Sequence, residues 1–209
     1  MTDLRAAWEQ DYQSRGQLWA GSSVALPDIP AGSRVLEIGC GSGKTVGALV
    51  HRSCDITAID FSEKAVEITR RIMMRYTAGD AVVADARHLP FHDNVFGYVV
   101  ARHVIGHLRN EGRRAMARET ARVLQPGGHL LLEVFSVDDM RKGTGREVED
   151  ATFLRGGGII THYFTGPEVE ALFPALNKDS VTPRHWTMRV RGRDLLRAEI
   201  FAIFSKKIN

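Results

Sequence analysis

The sequence has little cysteine, no long apolar run and little net charge. Cys40 and Cys54 are its only cysteines, which is too few for a four-cysteine zinc site or an iron–sulfur cluster. With no secretory context to pair them, we expect two free thiols in a reducing compartment. No stretch approaches the roughly 18 apolar residues of a membrane-spanning helix, and residues 1–19 lack the apolar core of a signal peptide. We therefore predict a cytoplasmic protein with no membrane partner and no metal.

The charges nearly cancel. The chain carries 28 Lys and Arg against 25 Asp and Glu, a net charge of +3, and so small an excess does not favour a nucleic-acid partner. Hydrophobic residues make up 44% of the 209 residues, enough for a single core. The oligomeric state cannot be read from composition.

Short apolar runs alternate with helical patterns from residue 33 onward, which is typical of βαβ units and a mainly parallel sheet. The predicted strands are Arg34–Ile38, Asp55–Ile59, Ala81–Ala84, Tyr98–Ala101 and His129–Phe135. The predicted helices between them are Lys44–Arg52, Glu63–Tyr76 and Asn110–Leu124, the last stopped by Pro126-Gly127-Gly128.

The remaining third follows a different pattern. Residues 139–158 mix charge and glycine without a period and are predicted to form a long loop. Thr165 to Glu168 is a capping box that starts a short helix. Two strand-like runs within Arg184–Lys206, joined at Gly192, predict an antiparallel hairpin on the sheet edge.

The stretch from Val35 to Thr45 places glycines at 39, 41 and 43 directly after a buried strand. A phosphate loop would need glycine at position 38, where the chain has Ile38, and a dinucleotide loop would need glycine in place of Lys44. The pattern that remains is Glu37 followed by three alternate glycines, with Asp60 at the end of the next strand. Backbone without side chains can approach a ligand closely, and such a carboxylate can accept from ribose hydroxyls.

These residues resemble the class I S-adenosylmethionine-dependent methyltransferases, specifically the small-molecule type with a ubiquinone/menaquinone-methyltransferase-like core. Two later stretches, residues 84–100 and 122–135, match the same family in the same order, although Gly97 replaces its usual aspartate. The resemblance implies an α/β fold: a doubly wound, mostly parallel seven-stranded sheet with one antiparallel strand, Rossmann-like. It also implies S-adenosyl-L-methionine as cofactor.

The resemblance implies that the cofactor-binding residues lie between Arg15 and His103. Leu4, Trp8, Tyr12, Arg15 and Trp19 lie on one helical face, and the forked donors of Arg15 suit the methionyl carboxylate, although a helix packed on the sheet explains the same spacing. The full cofactor set is Arg15, Trp19, Glu37, Gly39, Cys40, Gly41, Gly43, Asp60, Phe61, Asp85, Ala86, Arg102 and His103.

Substrate contacts are expected from Tyr12, His107, His162 and Tyr163. If the acceptor must lose a proton, His103 and His162 are the candidate catalytic bases, because an ordinary histidine pKa near 6.5 suits that step; capping or packing explains them equally well. Arg189, Arg191 and Arg193 alternate along the expected edge strand and mark either a solvated edge or a place for an anionic acceptor.

The sequence thus predicts a single methyltransferase domain with an N-terminal helical lid at 1–30, a cofactor core at 31–136 and a substrate side at 137–209. Its expected activity is in-line methyl transfer to an unidentified small-molecule acceptor. An RNA methyltransferase, a non-catalytic cofactor-binding subunit that needs a partner, and a nucleotide hydrolase stay open as alternatives.

Overall fold

The computed structural model describes residues 4–15 and 26–208. Among these residues, no helix combines the length and apolarity needed to cross a membrane. Cys40 and Cys54 are both buried and unpaired, which confirms the free thiols.

A seven-stranded sheet forms the centre of the fold, in the order β3-β2-β1-β4-β5-β10-β9. The strands β1 to β5 run parallel to one another, and β10 pairs antiparallel with both β5 and β9. One strand therefore runs against the rest, which confirms the predicted sheet. The seven strands are β1 (Arg34–Ile38), β2 (Asp55–Asp60), β3 (Gly79–Val83), β4 (Phe96–Arg102), β5 (Leu124–Phe135), β9 (Asn177–Val190) and β10 (Arg193–Ser205).

Helices cover both faces of this sheet, each burying an apolar stripe against it. Val46 of α2 and Val66 of α3 join one apolar core, and Met116 of α4 and Val169 of α5 join the other. The α/β class follows directly from this layering. The helices are α1 (Leu4–Arg15), α2 (Lys44–Leu49), α3 (Glu63–Met73), α4 (Asn110–Val123) and α5 (Gly166–Leu172).

Residues 139–158 do not form the long loop that we predicted. Two short strands, β6 (Arg146–Glu149) and β7 (Thr152–Leu154), lie in this stretch and pair with β8 (Ile160–His162) in a separate antiparallel sheet. The strands are too short and too charged to show a period of two. Buried Phe153 and Ile160 anchor them, and such tertiary packing overrides weak local propensity.

The C-terminal hairpin is present but longer than expected, because its first strand begins at Asn177 instead of Arg184. Strand β5 also begins early, at Leu124, so Pro126-Gly127-Gly128 lies within the strand and not before it. Backbone bonds between Gly127 and Lys206, and between Lys206 and Gly128, hold this stretch against the end of β10.

Candidate functional site

A cavity of about 1030 Å³ opens where the parallel strands end, beside α1. The carboxyl ends of β1, β2, β3, β4 and β5 all reach it, and the strand order reverses between β1 and β4. Open α/β sheets bind ligands in the crevice at such a reversal. We distinguish two walls: a loop side, formed by residues 37–41, 59–61 and 84–86, and an arginine side, formed by Phe135, Arg141, Arg155, Arg184, Trp186 and Arg197.

Glycine is required on the loop side by geometry. Gly39 and Gly41 adopt φ values of 75° and 51°, a left-handed region that disfavours other residues. A Cβ atom on Gly39 would stand 2.7 Å from Cβ of Val104, and one on Gly41 would stand 2.7 Å from the hydroxyl oxygen of Tyr12. The loop therefore exposes bare backbone to the cavity.

Asp60, at the tip of β2, fixes this loop. Its Oδ2 accepts from the backbone N–H of Gly41 at 3.0 Å, and its Oδ1 accepts from that of Ser62 at 3.0 Å. The side chain is almost fully buried, and burial raises the pKa of Asp60 to about 6. Each oxygen retains a second lone pair, so the carboxylate can still accept from a ligand hydroxyl.

Glu37 presents a buried carboxyl group to the same wall. Only 3% of the residue is exposed, and burial raises the pKa of Glu37 to about 8 against the hydrogen bond from Thr45. Among the described residues, Oε2 has no hydrogen-bond partner. An unsatisfied buried oxygen is costly, and a cationic ligand group would satisfy it.

His103 joins the two walls. Its Nε2 lies 3.4 Å from Oε1 of Glu133 and 3.3 Å from Oε1 of Glu199, and its ring stacks on Phe135 with 4.3 Å between centroids. Burial opposes the charged form, but the bonds to both carboxylates outweigh it and raise the pKa of His103. Arg102 donates to both oxygens of Glu133, at 2.7 and 3.0 Å.

Glu133 and Glu199 are functional candidates that we did not predict. Glu133 interrupts the apolar run Leu130 to Phe135, and a carboxylate in a buried strand is a usable signal. Glu199 gives no comparable signal, because only the pairing of β10 with β5 brings it opposite Phe135.

The arginine side comes from three separate parts of the chain. Arg141 follows β5, Arg155 lies between β7 and β8, and Arg184 and Arg197 come from the C-terminal hairpin. The hairpin arginines that the sequence singled out are exposed and lie outside this wall: Arg189, Arg191 and Arg193. Arg189 instead pairs with Asp194 at 3.4 Å.

Tyr12 and His107, which we predicted as substrate contacts, both line the cavity. Burial raises the pKa of Tyr12, so its hydroxyl stays protonated. His107 packs edge-on against Trp8 at 4.8 Å, and its Nδ1 lies 2.7 Å from the carbonyl oxygen of Ile160. Burial lowers the pKa of His107 to about 4, so it is neutral at pH 7.

His162 and Tyr163 lie apart from the cavity wall. His162 is 3% exposed, and its two ring nitrogens lie 2.7 Å from Oγ1 of Thr152 and 2.7 Å from Oε1 of Glu168. Tyr163 is fully buried, with its hydroxyl accepting from Nη2 of Arg155. His162 ties the small sheet to α5, and Tyr163 accepts from Arg155; neither is among the residues that line the cavity.

Comparison with known proteins shows which family the loop side resembles. The family described as "Methyltransferase domain" matches residues 35–128, which include the whole loop side. Residues 35–128 therefore form a methyltransferase domain of the class I S-adenosylmethionine-dependent type. This confirms the family resemblance and makes S-adenosylmethionine its cofactor.

Two relatives and one solved structure illustrate the breadth of this family. A tRNA (carboxymethyluridine(34)-5-O)-methyltransferase of Arabidopsis thaliana is 31% identical over 121 residues, 57% of this chain and 28% of the relative. A demethylmenaquinone methyltransferase of Clavibacter sepedonicus is 35% identical over 122 residues, 57% of this chain and 48% of the relative. A SAM-dependent methyltransferase structure from Methanosarcina mazei has a TM-score of 0.69 at 23% identity, covering 87% of this chain and 95% of that one. The matched part thus spans less than half the length of either curated relative.

The cofactor fits the loop side of the methyltransferase. The unpartnered Oε2 of Glu37 suits the ammonium group of S-adenosylmethionine, and the side-chain-free loop leaves room for its methionyl and ribose parts. The predicted cofactor residues that line the cavity are Glu37, Gly39, Cys40, Gly41, Asp60, Phe61, Asp85, Ala86, Arg102 and His103.

Three predicted cofactor residues are not placed on the cavity wall. Gly43 packs away from the cavity, where an added Cβ would stand 2.6 Å from Cδ1 of Ile72. Trp19 and the side chain of Arg15 lie outside the described residues. On the wall itself, Asp85 is held by Arg87, with 2.6 Å between Nη2 and Oδ2.

The side chains of His103, Glu133 and Glu199 bring their ligand atoms within 4.8 Å of one another, close enough to consider a metal ion. However, Arg102 already occupies both oxygens of Glu133. The arrangement is therefore better described as a hydrogen-bonded network around a histidine than as a metal centre.

Proposed function

We propose that this methyltransferase acts on a small organic acceptor that binds against the arginine side of the cavity. One observation carries the proposal: the loop side and the arginine side share a single cavity of about 1030 Å³, within the size range of sites that enclose a small ligand. Donor and acceptor can then lie in contact, and holding reactants in line contributes about 7–11 kcal/mol to lowering a barrier.

The loop side holds the donor. We assign the ammonium group to Glu37, the ribose hydroxyls to Asp60, and the adenine to Asp85 and the backbone N–H of Ala86. The burial of Glu37 and the position of Asp60 at a strand tip support these roles. Bound S-adenosylmethionine supplies an electrophilic methyl group, so the residues of the chain need only orient the partners and manage a proton.

We assign His103 as the base that accepts this proton from the acceptor. It lies between the two walls, and Glu133 and Glu199 accept from its Nε2. Its Nδ1 is buried and has no hydrogen-bond partner among the described residues, so Nδ1 is the nitrogen left to accept a proton, and the two carboxylates would stabilise the imidazolium. This is the orienting role of a carboxylate beside a catalytic histidine. Since these carboxylates raise the pKa of His103, the base form is populated at higher pH than in an ordinary histidine.

His162 is left out of this role. Both of its ring nitrogens are engaged, and it does not reach the cavity.

Calorimetric titration with S-adenosylhomocysteine tests the donor assignment. We expect wild-type protein to bind it and to ignore ATP and NAD. Asp60→Asn should weaken binding about 100-fold, while Asp55→Asn, exposed at the other end of the same strand, should not change it. Equal losses in both variants would show that the effect is general and not local to the site.

Transfer of a labelled methyl group into a cell extract tests the acceptor class. We expect the label in the small-molecule fraction, and a loss of transfer in His103→Ala that is largest at alkaline pH. An unchanged rate and pH profile in that variant would remove His103 as the base. Binding of S-adenosylhomocysteine without transfer to any fraction would instead favour the non-catalytic subunit.

RNA is the second candidate acceptor. Relatives named as tRNA methyltransferases match the chain as well as the quinone enzymes do. Label found in tRNA, with transfer falling steeply as salt rises, would favour this alternative because phosphate contacts are salt-dependent.

A further inference from the structure

The arginine side concentrates positive charge without matching negative charge. Arg197 pairs with Asp139 at 2.6 Å. Among residues 4–15 and 26–208, no carboxylate lies within ion-pair distance of Arg141, Arg155 or Arg184. Three guanidinium groups on one cavity wall thus lack an ion-pair partner among the described residues.

Arg141 and Arg155 are the more enclosed of these three. Arg141 is partly buried, and burial together with the nearby charge of Arg197 lowers the pKa of Arg141. The Nε atom of Arg155 is buried and has no hydrogen-bond partner among the described residues, although its Nη2 donates to Tyr163. Burying cationic donors without partners costs free energy, and an anion bound between them would recover it.

The wall around these arginines includes aromatic rings. The guanidinium carbons of Arg141 and Arg197 lie 5.9 and 5.4 Å from the centre of the Phe135 ring. The Phe135 ring also stacks on the His103 ring, with 4.3 Å between the ring centroids. Cation–π contacts of this kind hold a guanidinium in place without using its donors. Phe135 therefore lies between the proposed base and Arg141.

Asp139 fixes the start of this wall. Its carboxylate accepts from Nε of Arg197, from the backbone N–H of Ala198 and from that of Arg141, at 2.6, 3.1 and 3.0 Å. The backbone of Arg141 is thereby anchored, while its side-chain donors are left available. A preorganised fork of donors is the arrangement that recognises carboxylates and phosphates.

We propose that the acceptor carries an oxyanion, either a carboxylate or a phosphate, which Arg141 and Arg155 bind on the arginine side of the cavity. The inference rests on the proposed function, since it describes the acceptor of that reaction. It places the anionic group of the acceptor beyond Phe135 and leaves the methyl-accepting atom beside His103.

Titration of anions into protein saturated with S-adenosylhomocysteine tests this. The probes are benzoate, phenyl phosphate and the neutral isostere benzamide, at constant ionic strength. We expect benzoate or phenyl phosphate to raise the thermal midpoint and benzamide to leave it unchanged, and the stronger of the two anions identifies the oxyanion. Equal binding of benzamide, or no response to either anion, would overturn the inference.

Matched variants localise the effect. Arg141→Gln and Arg155→Gln should each weaken anion binding at least tenfold, whereas Arg193→Gln, exposed at the start of β10, should not. Without anion, Arg141→Gln should keep or raise the thermal midpoint, because it removes repulsion from Arg197. An equal loss in Arg193→Gln would contradict the assignment.

The same samples separate the two proposals. If wild-type protein does not bind S-adenosylhomocysteine, the proposed function fails. If it binds S-adenosylhomocysteine but the anions do not bind, only the oxyanion inference fails.

Discussion

The loop side of the cavity is made largely of backbone, whereas the arginine side is made of side chains. On the loop side, Gly39 and Gly41 keep the chain bare, and Asp60 holds it with hydrogen bonds to backbone N–H groups. On the arginine side, Arg197 and Phe135 form the surface, and a buried ion pair holds them. A backbone surface cannot be varied without changing the fold, while a side-chain surface can. This difference suits a fixed cofactor and a variable acceptor.

The largest effect is expected from breaking the ion pair beneath the arginine side. Asp139→Asn leaves the buried cation of Arg197 uncompensated, which should lower the free energy of unfolding by about 3–5 kcal/mol. Urea unfolding followed by circular dichroism measures this. Asp194→Asn is the control, since its pair with Arg189 is exposed and should contribute nothing measurable. Similar losses in both variants would mean that Asp139 is not a special anchor.

Glycine replacement probes the loop side in the same units. Gly39→Ala forces a Cβ to 2.7 Å from Cβ of Val104 at a φ of 75°, and such overpacking should lower the free energy of unfolding by about 1–3 kcal/mol. Affinity for S-adenosylhomocysteine should fall with it.

Gly47→Ala is the matched control, because it lies inside α2 with no atom within 4 Å of the added Cβ. There alanine should stabilise the helix by up to about 1 kcal/mol. If both replacements left the free energy of unfolding unchanged, Gly39 would be no more constrained than the ordinary helical glycine Gly47.

This division also explains what the sequence could predict. The glycine loop, Asp60 and Asp85 lie at the ends of the consecutive strands β1, β2 and β3. Local residues mark each strand end, so the fold and the loop side followed from short motifs. The arginine side depends on the pairing of β10 with β5 and on a small sheet whose strands carry no clear period. Its residues come together only in the tertiary structure, which is why Arg141 and Arg155 were missed and the exposed Arg189 to Arg193 were considered instead.

The pH dependence of cofactor binding tests the one titrating carboxyl group that the loop side leaves unsatisfied. In the free protein Glu37 is protonated below its pKa of about 8. If the cofactor ammonium pairs with ionised Glu37, binding releases a proton below that pH, so affinity should rise by up to about tenfold per unit between pH 7 and 8 and then level off. Asp60, with a pKa of about 6, is already ionised across this window.

Glu37→Gln should remove this pH dependence, and calorimetry with S-adenosylhomocysteine measures it. The stability of the free protein is expected to change with pH in the opposite direction to the affinity for the cofactor. Because the folded pKa of Glu37 lies above the unfolded one, its contribution to stability is complete below the unfolded pKa and is lost as pH rises toward 8. Glu67→Gln, exposed on α3, should behave as wild type in both measurements. If the affinity of the wild-type protein did not change from pH 7 to 8, Glu37 would not be the residue that binds the cofactor ammonium group.

The smallest effect should come from the helix caps, one beside the loop side and one away from the cavity lining. Ser62 is fully buried; its Oγ accepts from the backbone N–H of Ala65 at 3.1 Å and donates to Glu9 at 2.6 Å, which ties α1 to α3. Thr165 caps α5 at the surface, accepting from Glu168 at 3.3 Å. Losing a cap costs about 0.5–2 kcal/mol, and we expect Ser62→Ala at the upper end and Thr165→Ala at the lower end in urea unfolding.

Only Ser62→Ala should also weaken S-adenosylhomocysteine binding, because α1 carries Tyr12 against the glycine loop. If Thr165→Ala weakened that binding equally, the effect of Ser62→Ala would be general and not local to the loop side.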